Sequence, residues 1–398
     1  MRKQFSIWAV AVALLMGVTS CNKDNGDEPA GDGTLKINFK FETSTTPQGR
    51  AATSAAVPTT AWSNIGAGNL QLVLVQNGVA KVVRDVTVPG TGAGTTPSQI
   101  FDRIPVGTYD IYLIANNNKV GNPFGGTKAK IGTGSPIQAG TNFNTALFNL
   151  IASTEILGTA PTGAAYDEAS ELFIGYASGA VAADATTATI NVSLKRAVSL
   201  LRIRIDQTDV TSEANTIDFT NTGNTNTSIR LRRHASSLKM VIPAASPYST
   251  PQFGASKNDY AFVSTKKFKS VEPGSGYTGA IGIDAADFTL WNDYVILPGG
   301  HASTGADKFN LLLSGHAPSG YIGVNGAVST GTGAAARVWW QADVDGLIAA
   351  NGILSLNVKV ATKGYVDPNP PTIETYGKLD ITATLVDWSP VTNVPVPM

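Results

Sequence analysis

Residue types that perform catalysis are scattered through this chain without a recognisable spacing. The three histidines, His234, His301 and His316, are far apart in sequence, whereas metal sites usually draw ligands from short, fixed intervals. Neither a Gly-x-Ser-x-Gly elbow nor a His-Glu-x-x-His motif occurs. Carboxylate pairs such as Asp167 with Glu168 have the chemistry for hydrolysis, but nothing separates them from ordinary surface acids. We therefore predict that the protein is not an enzyme, with no catalytic residues, no metal and no cofactor.

The single cysteine, Cys21, ends a segment that is built like a bacterial lipoprotein signal. A basic start is followed by an apolar run over residues 5–16, which is shorter than the roughly 20 residues of a membrane-spanning helix. The small residue Ser20 then precedes the cysteine. We predict a signal peptide over residues 1–21 and lipidation of Cys21. The alternative is an ordinary secretory signal with an incidental cysteine.

A second candidate for covalent modification is Arg50, which lies in a polar stretch rich in small residues. Such a stretch is accessible to proteases. Ahead of it, residues 35–43 alternate apolar and polar side chains, which predicts a strand with one buried face. The buried face would carry Leu35, Ile37, Phe39 and Phe41. A cut between Arg50 and Ala51 would detach this strand and leave unpaired backbone groups beside an apolar trench. An arginine in such a loop is also often just a solvated residue.

The composition predicts a mainly β protein. The chain holds 41 Gly and 21 Pro with 15% charged residues, and short strand-like runs recur between turn-forming clusters. Its 398 residues suggest two domains, with a boundary near residues 181–187. Residues 116–130 and 142–152 are interpreted as short helix or loop. The predicted strands cover residues 35–43, 69–76, 80–88, 108–115, 171–177, 188–194, 199–206, 228–233, 238–242, 260–264, 293–297, 308–314, 335–340, 353–361 and 377–388.

Charge gives no case for a nucleic-acid partner. The chain has 29 basic and 29 acidic residues, and a chain that starts at Ala51 keeps 23 basic and 24 acidic. A basic excess, which binding to phosphate backbones or anionic membrane surfaces needs, is absent. Basic residues around Arg230 and Arg232 are interpreted as a solvated face. With one cysteine the chain cannot form an internal disulfide, so its fold must depend on its core.

The order of four sequence features resembles the type V pilus fimbrillin family, the FimA/Mfa-type fimbrial subunits. A lipoprotein signal and one alternating strand come first, and a polar segment with Arg50 before Ala51 follows. An apolar strand over residues 69–78 then opens the body of the protein. Residues 103–116, with Pro-x-Gly-x-Tyr and an apolar run to Ala-Asn, resemble a strand of that family. Residues 192–203 resemble the strand that opens its second domain.

The resemblance implies two tandem transthyretin-like β-sandwich domains and an assembly route. Residues 22–50 would form a tether and a removable first strand, residues 51–186 an N-terminal domain, and residues 187–398 a C-terminal domain with a donor-strand tail. The precursor would reach the outer membrane as a lipoprotein, where an arginine-specific protease would remove the anchor and first strand. A strand from a sister molecule would fill the groove. The partners would be copies of the chain in a head-to-tail polymer, with anchor and tip subunits, in extracellular fimbriae that support adhesion.

The resemblance also implies a donor strand near the C-terminal end of the sequence. Alternate residues over 379–385 share one face, and the register breaks at residues 386–388, which indicates a bulge. Pro395 and Pro397 cannot donate hydrogen bonds within a ladder. The predicted donor residues are Leu379, Ile381, Leu385, Val386, Trp388 and Val391. The alternative is that this segment is simply the last strand of its own domain.

Two other functions remain open from the sequence. One is a surface-anchored glycan-binding or adhesive lipoprotein, in which Trp339 and Trp340 would stack on sugars, although tryptophans in strands more often pack in a core. The other is a minor tip or anchor subunit of a fimbrium. The first amino acid of the surface form separates these classes, because a polymerised subunit would begin at Ala51 and a retained lipoprotein at Cys21.

Overall fold

The fold is described from a computed structural model of the chain. It describes residues 31–41, 65, 68–89, 97–117, 130–131, 137–154, 165–183, 187–206, 216–232, 234–240, 257–258, 262–269, 290–298, 309–344, 350–360, 362–371 and 379–387. The predictions for Cys21, Arg50, Ala51, Trp388 and Val391 fall outside these residues.

Strands dominate the described part of the chain, which confirms the mainly β prediction. Apart from a 3-10 turn at Gly333–Ala336, the regular elements described there are strands. Strands of the first half are β1 (Asp32–Phe41), β2 (Leu70–Gln76), β3 (Val79–Asp85), β4 (Ser98–Pro105), β5 (Gly107–Ala115), β6 (Lys130–Ile131), β7 (Leu147–Asn149), β8 (Phe173–Val181) and β9 (Ala188–Arg196). Strands of the second half are β10 (Ser199–Asp206), β11 (Ser228–Arg232), β12 (His234–Ala235), β13 (Ser237–Lys239), β14 (Lys257–Asn258), β15 (Phe262–Ser264), β16 (Leu290–Ile296), β17 (Phe309–His316), β18 (Arg337–Val344), β19 (Gly352–Lys359), β20 (Tyr365–Val366) and β21 (Asp380–Asp387).

Seven strands of the first half form one sheet in the order β3-β2-β5-β8-β9-β1-β4. Apolar side chains from both ends of this order meet in one buried cluster, so the sheet folds over on itself. Leu35 of β1 and Val192 of β9 share that cluster with Leu72 of β2 and Ile111 of β5. Alternating side chains supply this apolar face, because neighbours along a strand point to opposite sides. We call this unit the N-terminal lobe.

The second half forms a sandwich of two sheets, which we call the C-terminal lobe. One sheet has the order β16-β10-β19-β21 and the other the order β15-β11-β17-β18-β20. Their facing sides share one large buried cluster that includes Ile203, Leu313, Trp340 and Leu356. Strand β10 pairs antiparallel with β16 on one side and parallel with β19 on the other.

The two lobes share a third apolar cluster, so they are in direct contact. It joins Val73 and Ile174 of the first sheet to Leu200 and Val295 of the second lobe. Short strands add to this contact, because β7 pairs with β13 in a small sheet that also contains β6. No helix in the part of the chain that the structure describes has the length and apolar character needed to cross a bilayer.

The N-terminal sheet extends further along the chain than the sequence indicated. The predicted division between residues 186 and 187 assigns β9 to the C-terminal domain, but β9 pairs with both β1 and β8. The described sheets therefore separate after Arg196, where Ala197 and Val198 lead into β10. The turn-rich stretch just before β9 is thus a connection within the N-terminal lobe.

Candidate strand-exchange groove

Strand β1 is an interior strand of the N-terminal sheet. It pairs in parallel with β9, from Leu35 opposite Ala188 to Phe41 opposite Leu194. On its other side it pairs antiparallel with β4. Removing β1 would therefore open a slot between β9 and β4, which we call the β1 groove. Backbone donors and acceptors would be unpaired along both walls of that groove.

The inward face of β1 is the one that the sequence predicted. Leu35, Ile37 and Phe39 are at most 2% exposed and belong to the core cluster of the N-terminal lobe. Phe41 is half-buried, and its ring centroid lies 5.2 Å from that of Phe173. The β1 groove is thus a continuous apolar trench that three buried side chains and one partly buried ring fill.

The outward face of β1 carries polar contacts that fix its register. The Nδ2 amide of Asn38 donates to Oδ1 of Asn191 at 2.9 Å across the parallel pair. On the antiparallel side, the Thr34 hydroxyl donates to a carboxylate oxygen of Asp102 at 3.3 Å. A shift by one residue would turn the apolar set out to solvent, and a shift by two would break both of these contacts.

Gly33 marks a narrow point of the groove. A Cβ atom at this position would lie 2.3 Å from the carbonyl oxygen of Ala182 and 2.6 Å from Cγ1 of Val181. Contacts this short do not occur for real Cβ atoms, and one of them is with backbone that cannot rotate away. The pairing between β1 and β4 also shifts between Gly33 and Leu35. A replacement strand whose backbone follows the path of β1 therefore needs glycine at the position of Gly33.

The strand β4 depends on β1 for its place in the sheet. Among the described strands, β4 pairs only with β1 and ends the sheet order. Phe101 and Ile104 are its buried side chains, and Ile100 is 58% exposed. Strand β4 does not follow from the sequence pattern, because its buried residues, Phe101 and Ile104, are three apart. Arg103 between them has φ of 57°, which breaks the alternation that identifies a strand.

A buried ion pair closes the end of the groove that faces the C-terminal lobe. The guanidinium of Arg196 lies over the Phe173 ring at 5.4 Å, and its Nε donates to Oε1 of Glu171 at 2.5 Å. Both side chains are 1% exposed. Burial lowers the pKa of Arg196 while Glu171 opposes that shift. Arg196 also donates to Asn351 at 3.3 Å, so this pair links the groove to the second lobe.

The predicted donor segment forms an edge strand of its own lobe. Strand β21 pairs antiparallel with β19, from Lys359 opposite Asp380 to Gly352 opposite Asp387, and it ends the sheet order. Leu379 is 7% exposed, and Ile381 packs against the C-terminal core. The backbone of Leu385 and Val386 lies in the same ladder. The sequence therefore placed this strand correctly, and the structure pairs it within its own lobe.

Trp339, Trp340 and Arg230 of the C-terminal lobe lie inside the molecule. Trp339 and Trp340 are both 0% exposed, so they cannot stack on a sugar as the glycan-binding hypothesis required. Arg230 was expected to be solvated, but it is 0% exposed and lies over the Trp339 ring at 5.2 Å. The segment 367–371 covers this face, because Arg232 donates to a carbonyl there, that of Pro371.

A sequence profile described as "Fimbrillin-A associated anchor proteins Mfa1 and Mfa2" matches residues 84–264, just under half of the chain. This region is therefore similar to the Mfa-type fimbrial subunits. The resemblance inferred from the sequence is thereby confirmed. The matched region begins in β3 and ends at the last residue of β15, so it includes β4 and β9, the two walls of the β1 groove.

Solved structures of fimbrial and adhesion proteins are similar to the chain over most of its length. A fimbrilin (FimA) from Porphyromonas gingivalis is 12% identical, covering 90% of this chain and 99% of that one at a TM-score of 0.46. A proposed cell adhesion protein from Bacteroides eggerthii is 14% identical, with 90% and 97% covered and a TM-score of 0.47. The fimbrial anchor protein Mfa2 from Porphyromonas gingivalis is 11% identical, with 89% and 98% covered and a TM-score of 0.43. No curated protein matches the sequence.

Proposed function

We propose that the chain is a structural subunit of a cell-surface fimbrium that is exported as a lipoprotein precursor, cut after Arg50 and polymerised by donor-strand exchange. The observation that carries this proposal is the position of β1. It is an interior strand with two ladders, yet a cut after Arg50 would leave it attached to the rest of the molecule by non-covalent contacts alone. Lipidation of Cys21 would hold the uncut precursor at the outer membrane, and the cut would release it.

The energetics favour replacement of β1 over simple loss. Burying Leu35, Ile37 and Phe39 contributes about 5–9 kcal/mol as an upper bound, at roughly 1.5–3 kcal/mol for each side chain. A typical domain has only about 5–15 kcal/mol of net stability. A subunit with an empty β1 groove would therefore be close to unfolding. An incoming strand that restores a similar apolar face is needed to keep the N-terminal lobe folded.

The donor in this proposal is the C-terminal segment with Leu379, Ile381, Leu385, Val386, Trp388 and Val391. Two features of β21 support it. It is an edge strand, so its withdrawal breaks one ladder, and β10, β16 and β19 keep their pairing with one another. Withdrawal would also expose Leu379 and part of Ile381, and entry into the groove of a neighbour buries an apolar face again. Repeating this contact head to tail builds a filament because it never closes on itself.

The test combines N-terminal sequencing of surface-sheared protein with electron microscopy of cells. Wild-type protein is expected to begin at Ala51 and to form filaments, and the Arg50→Ala variant is expected to remain uncut and lack them. Arg84→Ala is the matched control, because Arg84 is an exposed arginine of β3 outside the groove. Filaments of normal length made from uncut Arg50→Ala protein would refute the proposal.

A second candidate is an anchor subunit, which the description of the matching profile favours. An anchor would accept or donate one strand, but it would keep its lipid. Its surface form would begin at the lipidated Cys21, and deleting it would release filaments into the medium while leaving them formed. A polymerising subunit would instead begin at Ala51 in its surface form, and its deletion would remove the filaments.

A further inference from the structure

The segment before and within β21 repeats the residue pattern of β1. Residues 33–41 read Gly-Thr-Leu-Lys-Ile-Asn-Phe-Lys-Phe, and residues 377–385 read Gly-Lys-Leu-Asp-Ile-Thr-Ala-Thr-Leu. Glycine comes first in both, and leucine and isoleucine occupy the third and fifth positions. The remaining odd positions are apolar and the even positions are polar in both segments. The match includes the glycine as well as the simple alternation that any half-buried strand shares.

We propose that the donor strand enters the β1 groove of a second copy of this chain in one register, with Gly377 in the place of Gly33. This inference rests on the proposed function and specifies its geometry. Leu379 then replaces Leu35, Ile381 replaces Ile37, Ala383 replaces Phe39, and Leu385 replaces Phe41. The incoming strand runs in the direction of β1, parallel to β9 and antiparallel to β4 of the acceptor.

The narrow point at Gly33 selects this register. Registers that keep the apolar face inward differ by two residues. A shift by two in one direction places Thr375 at the narrow point, and a shift in the other direction places Leu379 there. Either side chain brings a Cβ to within 2.3 Å of the Ala182 carbonyl oxygen. Only the register with Gly377 satisfies the backbone approach.

The polar face of the groove is compatible with the same register. Lys378 takes the place of Thr34, beside the Asp102 carboxylate that Thr34 contacts at 3.3 Å. A shift by two would place either Asp380 or Tyr376 there, and Asp380 would bring two acids together. Thr382 takes the place of Asn38, opposite Asn191. An exposed ion pair contributes at most about 1 kcal/mol, so the lysine refines a register that the glycine sets.

Disulfide trapping between neighbouring subunits tests the register directly. Cys21 leaves with residues 1–50 when the precursor is cut, so the cut chain has no native cysteine. The double variant combines Asn191→Cys in the acceptor groove with Thr382→Cys in the donor strand. In the proposed register Thr382 takes the place of Asn38, whose amide donates to Asn191, so the two thiols would be adjacent. Matched variants combine Asn191→Cys with Asp380→Cys or with Thr384→Cys, which report the two shifted registers. Each full chain is cut, polymerised, oxidised and analysed without reductant.

A ladder of covalent oligomers is expected for the variant with Thr382→Cys. The two variants that report shifted registers are expected to give at least tenfold less cross-linked product. A ladder that is strongest for Asp380→Cys or Thr384→Cys would overturn the register, and so would filaments that give no ladder in any variant. In both cases the filaments themselves would leave the proposed function standing. Failure of the cut, cysteine-free chain to form filaments at all would instead refute the proposed function, and with it this inference.

A second variant tests the role of the glycine without new cysteines. Gly377→Val is expected to slow filament growth at least tenfold, because a branched side chain meets the Ala182 carbonyl in the acceptor. Lys378→Val is the control, since the position of Thr34 that it occupies tolerates a side chain. Thermal melting of the uncut monomers establishes that both variants fold. Filament growth at the wild-type rate by a folded Gly377→Val chain would overturn the inference.

Discussion

Truncation of Phe39 to alanine separates the stability of the precursor from that of the filament. Phe39 is 2% exposed and lies among the core residues of the N-terminal lobe. Loss of a buried phenylalanine ring typically costs about 3–5 kcal/mol, through lost burial and the cavity that remains. We expect the uncut Phe39→Ala precursor to lose stability in that range. The neighbouring Lys40 is exposed, so Lys40→Ala is expected to change stability by less than about 0.5 kcal/mol.

The same variant is expected to leave the filament unchanged, because in the proposed exchange β1 is absent from the filament and the donor places Ala383 at this position. The assay is urea denaturation of the uncut precursors, with Arg50→Ala added to prevent cleavage, beside heat-dissociation of filaments made from cut chains. Filament dissociation temperatures are expected to be equal for wild type, Phe39→Ala and Lys40→Ala.

Phe39→Ala is also expected to speed assembly. A loss of about 3 kcal/mol weakens the binding of the detached β1 to its groove by about a hundredfold, since 1.4 kcal/mol corresponds to a factor of ten. The reasoning would be refuted if Phe39→Ala filaments lost heat resistance in proportion to the precursor. That result would mean that β1 still occupies its own groove in the assembled protein.

Three further predictions concern the rest of the fold. Glu171→Gln is expected to lower the unfolding free energy in urea by roughly 3–5 kcal/mol, because it removes the carboxylate from the buried ion pair with Arg196. Burial lowers the pKa of His234 to about 4, whereas the pKa of a histidine in the unfolded chain is about 6.5. The free energy of unfolding is therefore expected to fall by roughly 3 kcal/mol when the pH drops from 6.5 to 4. His234→Gln is expected to lose that part of the pH dependence, and His316→Gln to retain it. After a cut at Arg50 and before strand exchange, loosening of β1 is expected to raise hydrogen exchange of β4 amides above that of β2 amides, and equal protection of the two strands would contradict the dependence of β4 on β1.

Alternating segments and short apolar runs in the sequence predict most of the strands. The prediction for residues 35–43 became Asp32–Phe41, with three of the four predicted inward residues buried and Phe41 half-buried. The apolar runs at 199–206 and 353–361 became β10 and β19, which pair with each other in the centre of a sheet. Strand β1 was predictable because its alternating residues match the pleat of a strand with one buried face. Strands β10 and β19 are buried on both faces, and their short apolar runs identified them.

Features that depend on distant residues were not predictable. The partners of β1 could not be known, because pairing with β9 joins residues about 150 positions apart. Arg230 was expected on a solvated face, but it is buried and lies over the ring of Trp339, more than 100 residues away in sequence. The glycine requirement at residue 33 likewise arises from the carbonyl of Ala182. Each of these outcomes is set by chain that lies far away in sequence.

The two walls of the β1 groove are unequal, and this inequality bears on how a strand could be exchanged. β9 is held on its other side by β8, whereas β4 ends the sheet and pairs with β1 alone among the described strands. An incoming strand that pairs first with the fixed edge of β9 can displace β1 step by step, while β4 moves aside and re-forms its ladder. A groove between two fixed walls would require β1 to leave entirely first, at the full cost of its buried side chains. Attachment of β4 through β1 alone, among the described strands, would therefore lower the barrier to the proposed exchange. Substitutions in β4 are then expected to change the rate of assembly more than the final stability.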